Sequence, residues 1–221
     1  MDREGLLKHL KKNSRVLNSG LLEQAFHDVD RKDFVGADYE CEAYEDYPLP
    51  IGHGQTISQP TTVAFMLELL DPKEGDKVLD VGSGSGWTTA LLGRIVGEKG
   101  KVVGVERIPK LIALGRENLK KSYSKIIESS KIKGMKTPPV APVEIRQARK
   151  GVIGLPEEGP FDRILVSAAA DKLPSDLLDE LRAGGTLVIP IGHSIWQVKK
   201  LVVGGLETKK YPGFAFVPLV E

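Results

Sequence analysis

The sequence predicts an α/β fold, a mostly parallel sheet with helices on both faces. Three observations predict it. Short apolar runs of strand length alternate with segments of helical period, a glycine turn joins a strand to a helix, and 221 residues suffice for one full core with additions. Strict alternation implies right-handed crossovers, and so a sheet buried on both sides.

The central unit is the strand at 78–81, the turn Gly82-Ser83-Gly84-Ser85-Gly86 and the helix Trp87–Val96. Glycine tolerates φ > 0 and lets the backbone approach a ligand, and free N–H groups at a helix start attract negative charge. Counted from Asp80, the pattern is acid-x-Gly-x-Gly-x-Gly, with its third glycine at Gly86 and not at Trp87, where a dinucleotide fingerprint would need it. That spacing favours S-adenosylmethionine over NAD. A second strand, 101–105, ends at Glu106, an acid placed to accept hydrogen bonds from both ribose hydroxyls of a bound adenosine, and the helix after it runs from Pro109 to about Lys120. Further strands follow at 143–147, 161–166 and 186–191, with a helix at 175–181 that Gly184-Gly185 stops. Segments 201–203 and 214–219 have no helix between them and are expected to close the sheet as antiparallel neighbours.

Ahead of this unit, apolar residues at helical spacing predict short helices at 5–10 and 19–29. Residues 1–60 then read as a helical extension with an ordered, glycine- and proline-punctuated loop, and 61–221 as the cofactor-binding domain. Pro60 suits a first helical position, and 62–70 continues the helix, so Ser58 and Gln59 lie at a helix N-terminus. Ser58 is either a simple cap, or a hydroxyl that joins the free N–H groups in binding a carboxylate; both roles are compatible. Between 121 and 142 the helical pattern dissolves into lysines and prolines, which predicts a partly helical, mobile insertion with a solvated charged face.

Composition removes several function classes. A formal charge of +1 creates no global field toward nucleic acid or a membrane surface, and no apolar run reaches the roughly 18 residues a span needs. A lone Cys41 cannot form an intramolecular disulfide, and the charged segment 1–12 lacks the apolar core of a signal peptide, so a cytoplasmic monomer is expected. No His, Cys or acid cluster has metal-site spacing, so no metal is expected, and His53, between two glycines, reads as a loop residue. A methyl group on a sulfonium is already electrophilic, and a carboxylate acceptor, ionised near neutrality, needs no general base. Hydroxyls and backbone donors would then be a sufficient site.

The segment Tyr44-Glu45-Asp46-Tyr47-Pro48-Leu49-Pro50-Ile51-Gly52-His53-Gly54-Gln55-Thr56-Ile57-Ser58-Gln59-Pro60 resembles the signature of the protein-L-isoaspartate O-methyltransferases. Val105-Glu106-Arg107, the segment 155–162, Ala168-Ala169-Ala170, Gly184-Gly185 and 216–219 resemble family segments in family order. The resemblance covers nearly the whole chain outside 121–142. It implies a Rossmann-like class I methyltransferase fold and methyl transfer from S-adenosylmethionine to the α-carboxylate of L-isoaspartyl residues in damaged peptides and proteins. The ester then closes to a succinimide, whose hydrolysis returns some aspartate. It also implies that Ser58 is the active-site serine, that Thr56 and Gln59 shape the acceptor pocket, and that segment 214–217 offers backbone groups to the substrate. Asp80, Gly82, Ser83, Gly84, Ser85, Gly86, Glu106 and Arg107 would form the cofactor site.

One segment departs from the family pattern. Where the family usually reads Gly-Asp-Gly, with the Asp accepting from the adenine amino group, this chain reads Gln147-Ala148-Arg149-Lys150-Gly151. Arginine and lysine offer donors only, which leaves the Gln147 amide oxygen or a backbone carbonyl as acceptor. One missing neutral hydrogen bond is worth about 1 kcal/mol, an argument for weaker binding before none. Two other readings remain: a peptide carboxyl methyltransferase with a different acceptor, and a non-catalytic S-adenosylmethionine-binding module.

Overall fold

The structure, a computed structural model, describes residues 1–132 and 140–220. The chain begins with α1 (Arg3–Lys8), whose N-terminus Asp2 caps by accepting from Gly5 N, then a single π-helical turn (His9–Asn13) and α2 (Gly20–Asp28). Two 3-10 turns (Arg31–Phe34 and Ala37–Glu42) lead into a two-stranded hairpin, β1 (Leu49–Gly52) and β2 (Gln55–Ile57). This hairpin lies within what the sequence marks only as an ordered loop. Helix α3 (Pro60–Leu70) follows, with Pro60 in its first turn as expected.

The central sheet contains β3 (Lys77–Val81), β4 (Lys101–Glu106), β5 (Val143–Gln147), β6 (Phe161–Val166), β7 (Leu181–Ile191), β8 (Ser194–Lys200) and β9 (Leu206–Pro212), in the spatial order β5-β4-β3-β6-β7-β8-β9. Pairings from β5 through β7 are parallel, and β8 and β9 are antiparallel. Helices α4 (Trp87–Val96), α5 (Pro109–Ile132) and α6 (Ser175–Glu180) connect the parallel strands. Strand residues alternate between two cores. Val78, Val102, Ile145, Leu165 and Val188 join the apolar residues of α2, α3, α4 and α5, whereas Leu79, Val103, Ile164 and Leu187 pack with Leu177 of α6. The N-terminal helices share the first of these cores, so the extension is built onto the sheet's own apolar face.

Three expectations are corrected. Helix α5 does not dissolve near Lys120 but continues to Ile132, because Leu119, Ser122, Ile126 and Ser130 keep one face buried at helical spacing. Its lysines are not merely solvated, since Lys121 and Lys125 both pair with the buried carboxylate of Asp33. The rest of the expected insertion, 133–139, lies outside the described residues. The pair Gly184-Gly185 does not stop α6, which ends at Glu180; it sits in a bulge of β7, where the register against β6 skips from Phe161–Leu181 to Arg163–Thr186. The antiparallel strands lie elsewhere than expected. Residues 201–205 form the β8–β9 turn, closed by Leu201 N donating to Gly205 O at 3.0 Å, and 214–220 crosses the end of the sheet with one isolated bridge, Ala169 to Pro218.

Candidate active site

Strand order reverses at β3, with β4 on one side and β6 on the other, and the crevice outside its carboxyl end is the expected ligand position in an open α/β sheet. The glycine turn fills that position. Gly82, Gly84 and Gly86 have φ of 82°, 52° and 86°, left-handed values that other residues avoid. A Cβ on Gly86 would also stand 3.0 Å from Gly115 O of α5, so this glycine also lets two helices approach. The turn is fastened to β4: Gly82 N and Ser83 N donate to Val105 O, and Gly84 N donates to Glu106 Oε2 at 3.1 Å. The other Glu106 oxygen accepts from Ile108 N at 2.8 Å. Glu106 is therefore held in place with acceptor capacity left over, since each carboxylate oxygen takes two bonds.

A cavity opens above the turn, lined by Gly82 to Ser85, Trp87, Thr88 and Glu106 on one wall and by Thr56, Ser58, Ser167 and Val217 on the other. Ser83 Oγ and Trp87 Nε1 are buried there without a hydrogen-bond partner among the described residues. Past Glu106 the space continues into a mainly apolar pocket of Arg107, Ile108, Ala148, Val152, Ile153 and Leu219, whose lining suits the faces of a heteroaromatic ring. Orphaned polar atoms, a ribose-height carboxylate and an apolar slot together fit an adenosine bearing an amino-acid tail.

A second groove meets the first cavity at Thr56, Ser58, Ser167 and Val217. Its remaining lining is Pro48, Gln59, Thr62, Ala215 and Phe216, so no titratable side chain lines it. Ser58 reaches this position because the β1–β2 hairpin turns tightly through Gly52, His53 and Gly54, all at positive φ, and pairs Leu49 with Ile57. Asp46 then pins the following helix. It accepts from Thr61 N at 2.9 Å, Thr61 Oγ1 at 2.7 Å and Gln59 Nε2 at 3.2 Å, with His9 Nε2 at 3.1 Å. Burial raises the Asp46 carboxyl's pKa, but the hydrogen bonds from Thr61, Gln59 and His9 outweigh it, and the net shift is downward.

The structure thus brings Thr56, Ser58, Gln59, Gly82 to Ser85, Glu106 and Arg107 to one site. Three expected cofactor residues, Asp80, Gln147 and Gly86, do not line it. Asp80 is fully buried beneath the turn, where its Oδ2 accepts from Thr88 and Thr89 Oγ1 at 2.7 Å each, and burial lifts its pKa to about 6. It braces β3 against α4. Gln147 ends β5 exposed, and the neighbouring Ala148 lines the ring pocket instead. Gly86 supports the turn from below. Sequence reasoning missed Ser167 and Gln55, which line the first cavity, since no local pattern marks a residue brought to the site from another part of the fold.

The comparisons with known proteins agree with this geometry. The family model for protein-L-isoaspartate(D-aspartate) O-methyltransferase matches residues 1–221. The chain belongs to that family. A protein-L-isoaspartate O-methyltransferase of Methanopyrus kandleri is 41% identical over 99% of this chain and 91% of its own length, and one of Aeropyrum pernix is 41% identical over 97% and 78%. A Plasmodium falciparum candidate protein-L-isoaspartate O-methyltransferase, solved with S-adenosyl-L-homocysteine, superposes with a TM-score of 0.81 at 27% identity, covering 99% of this chain and 98% of that one. Membership in this isoaspartate methyltransferase family sharpens the departure at the end of β5. Arg149 turns outward to Glu157, at 2.5 Å, and Lys150 is exposed, so neither enters the ring pocket. Among the described residues no group of His, Cys, Asp and Glu is placed to hold a metal ion, and no helix is long and apolar enough to cross a membrane.

Proposed function

We propose that this chain transfers the methyl group of S-adenosylmethionine to the α-carboxylate of L-isoaspartyl residues in damaged peptides and proteins. The observation that carries this reading is an acceptor groove of hydroxyls, an amide and backbone that contains no titratable side chain. An amine or alcohol acceptor would want a base there, whereas a carboxylate arrives already ionised. When bound, the cofactor supplies a methyl group on a positively charged sulfur. Gly82 to Ser85 and Trp87 would hold its amino-acid part, Glu106 its ribose, and Ala148, Val152 and Leu219 its adenine. Ser58 and Thr56 stand where this cavity meets the acceptor groove, so their hydroxyls can donate to a carboxylate and aim one oxygen across the junction. The backbone of Ala215 to Val217 walls the groove and would run beside an extended substrate. The free, exposed Cys41 suits a reducing compartment, so we assign the protein to the cytoplasm, and a formal charge of +1 favours polypeptides over nucleic acid as its partners.

The test is methyl transfer from labelled S-adenosylmethionine to an isoaspartyl peptide and its aspartyl twin. Transfer confined to the isoaspartyl peptide is expected, with kcat/KM roughly 10- to 100-fold lower in Ser58→Ala, the range of a hydrogen bond to a charged group. No transfer to either peptide, with S-adenosylhomocysteine still binding, would overturn the assignment.

A further inference from the structure

Among the described residues Arg31 is the most deeply buried basic side chain, 2% exposed, and the chemistry above does not use it. Among the described residues its guanidinium makes no hydrogen bond to a carboxylate. Nη1 donates to Ala43 O at 2.7 Å and Glu45 O at 3.4 Å, and Nη2 donates to Tyr47 O at 3.1 Å and Ser58 O at 3.2 Å. Its face lies 5.3 Å from the Trp87 ring centre, and Trp87 lines the cofactor cavity. Burial lowers its pKa to about 10, partly offset by Asp46 and Tyr47, so it remains a cation near neutral pH. One planar group thus gathers four carbonyls from both ends of the segment that carries the hairpin, including that of Ser58 itself.

We infer that Arg31 is a positioning residue for the acceptor site, a fork that closes segment 43–58 and sets Ser58 against the cofactor cavity. The inference rests on the methyl-transfer reading for its kinetic arm alone. A guanidinium holds separate donors in fixed planar directions, while a lysine ammonium is a point charge that cannot span four carbonyls. Arg31→Lys therefore preserves charge and removes the fork.

The experiment compares wild type with Arg31→Lys in three readouts. Expected are a KM for the isoaspartyl peptide at least 10-fold higher, a Kd for S-adenosylhomocysteine within 3-fold of wild type, and faster amide exchange in 43–58 with β3 and β4 unchanged. Guanidinium chloride, against matched sodium chloride, is expected to restore peptide KM in Arg31→Ala. A folded Arg31→Lys protein with peptide KM within 2-fold, or with KM and Kd raised by the same factor, would overturn the inference. Should the wild type methylate nothing, the transfer reading fails and the exchange arm still decides. Should no Arg31 variant fold, exchange in the wild type decides, because a clasped segment must open as one unit and independent opening at its two ends would refute the fork.

Discussion

The two walls of the active site are built in opposite ways. The floor of the cofactor wall is largely backbone: three left-handed glycines, N–H groups turned onto Val105 O and Glu106, and a helix start, all drawn from residues 80–108, with the ring pocket added from 148–153 and 218–219. The acceptor wall is assembled by side chains from segments far apart in sequence, with Arg31 clasping 43–58, Asp46 pinning Thr61 and Gln59, and Ser167 and Val217 arriving from the far end of the chain. Backbone geometry is stiff and unforgiving, because a single Cβ can abolish it. Side-chain scaffolding is graded, and each of its bonds can be lost separately at a modest cost. Substitutions on the first wall should therefore act nearly all-or-none, and those on the second by increments.

The sharpest test is Gly86→Ala. At φ 86° a Cβ is strained, and it would meet Gly115 O at 3.0 Å, an atom of α5 backbone with little freedom to withdraw. The expected loss of stability is roughly 3 kcal/mol, from the left-handed conformation and the overpacked contact together. S-adenosylhomocysteine should bind at least 10-fold more weakly by calorimetry, because the turn cannot shift without moving Gly84 N off Glu106. Wild-type affinity in this variant would erase the distinction between the two walls.

The same contrast explains what was legible in the sequence. The strands ending at Val81 and Glu106 could be read because each is a short apolar run closed at once by a glycine turn or an acid, and those ending at Gln147 and Val166 because β-branched and aliphatic residues recur in runs of strand length; these signals are all local. The continuation of α5 past Lys120 was hidden, since its buried face there uses Ser122 and Ser130 among lysines that a charge count reads as solvent-facing. The β1–β2 hairpin was hidden by its shortness and by Pro50 within it. Ser58 was placed at a helix start by local pattern, which left a simple cap and a carboxylate-binding hydroxyl both open, and only family resemblance implied the active-site role proposed for it. Nothing local distinguishes Arg31 from a surface arginine, because its four carbonyl partners are 12 to 27 residues away.

Glu180 supports the ring pocket of the cofactor wall from behind with a side chain that lines neither cavity, and so it can break the comparison. Its Oε2 accepts from Leu155 N at 2.8 Å, its Oε1 has no partner, and it fills the space beside Gly154, whose backbone borders the ring pocket. Burial raises its pKa to about 7. For an acid raised in the folded state, the stabilising contribution is complete below the unfolded value near 4.5 and is lost as pH rises through about 7. Glu180→Gln should remove that loss, so urea unfolding at pH 5 and pH 8 should differ by roughly 2 kcal/mol less in the variant than in wild type. Some slope of the same sign remains from Asp80, whose pKa is raised to about 6. An unchanged pH difference would mean that Glu180 is solvated and gives the ring pocket no support.

Asp46→Asn is the smallest change and tests the acceptor wall's graded character. An asparagine keeps one carbonyl oxygen for Thr61 N but loses the second acceptor that serves Thr61 Oγ1 and Gln59 Nε2, and it removes a negative charge beside the start of α3. The expected cost near neutral pH is roughly 1 kcal/mol, with peptide KM raised about 3-fold and S-adenosylhomocysteine affinity unchanged. The sign with pH is opposite to that of Glu180. The folded-state pKa of Asp46 is depressed, so its contribution is present above the unfolded value of 3.8 and is lost as pH falls through the lower folded one. The stability gap between wild type and Asp46→Asn should accordingly narrow in urea titrations at pH 3. A gap that stays constant would trace the cost to packing, and a collapse of methyl transfer by 100-fold or more would show that the acceptor wall is as brittle as the glycine turn.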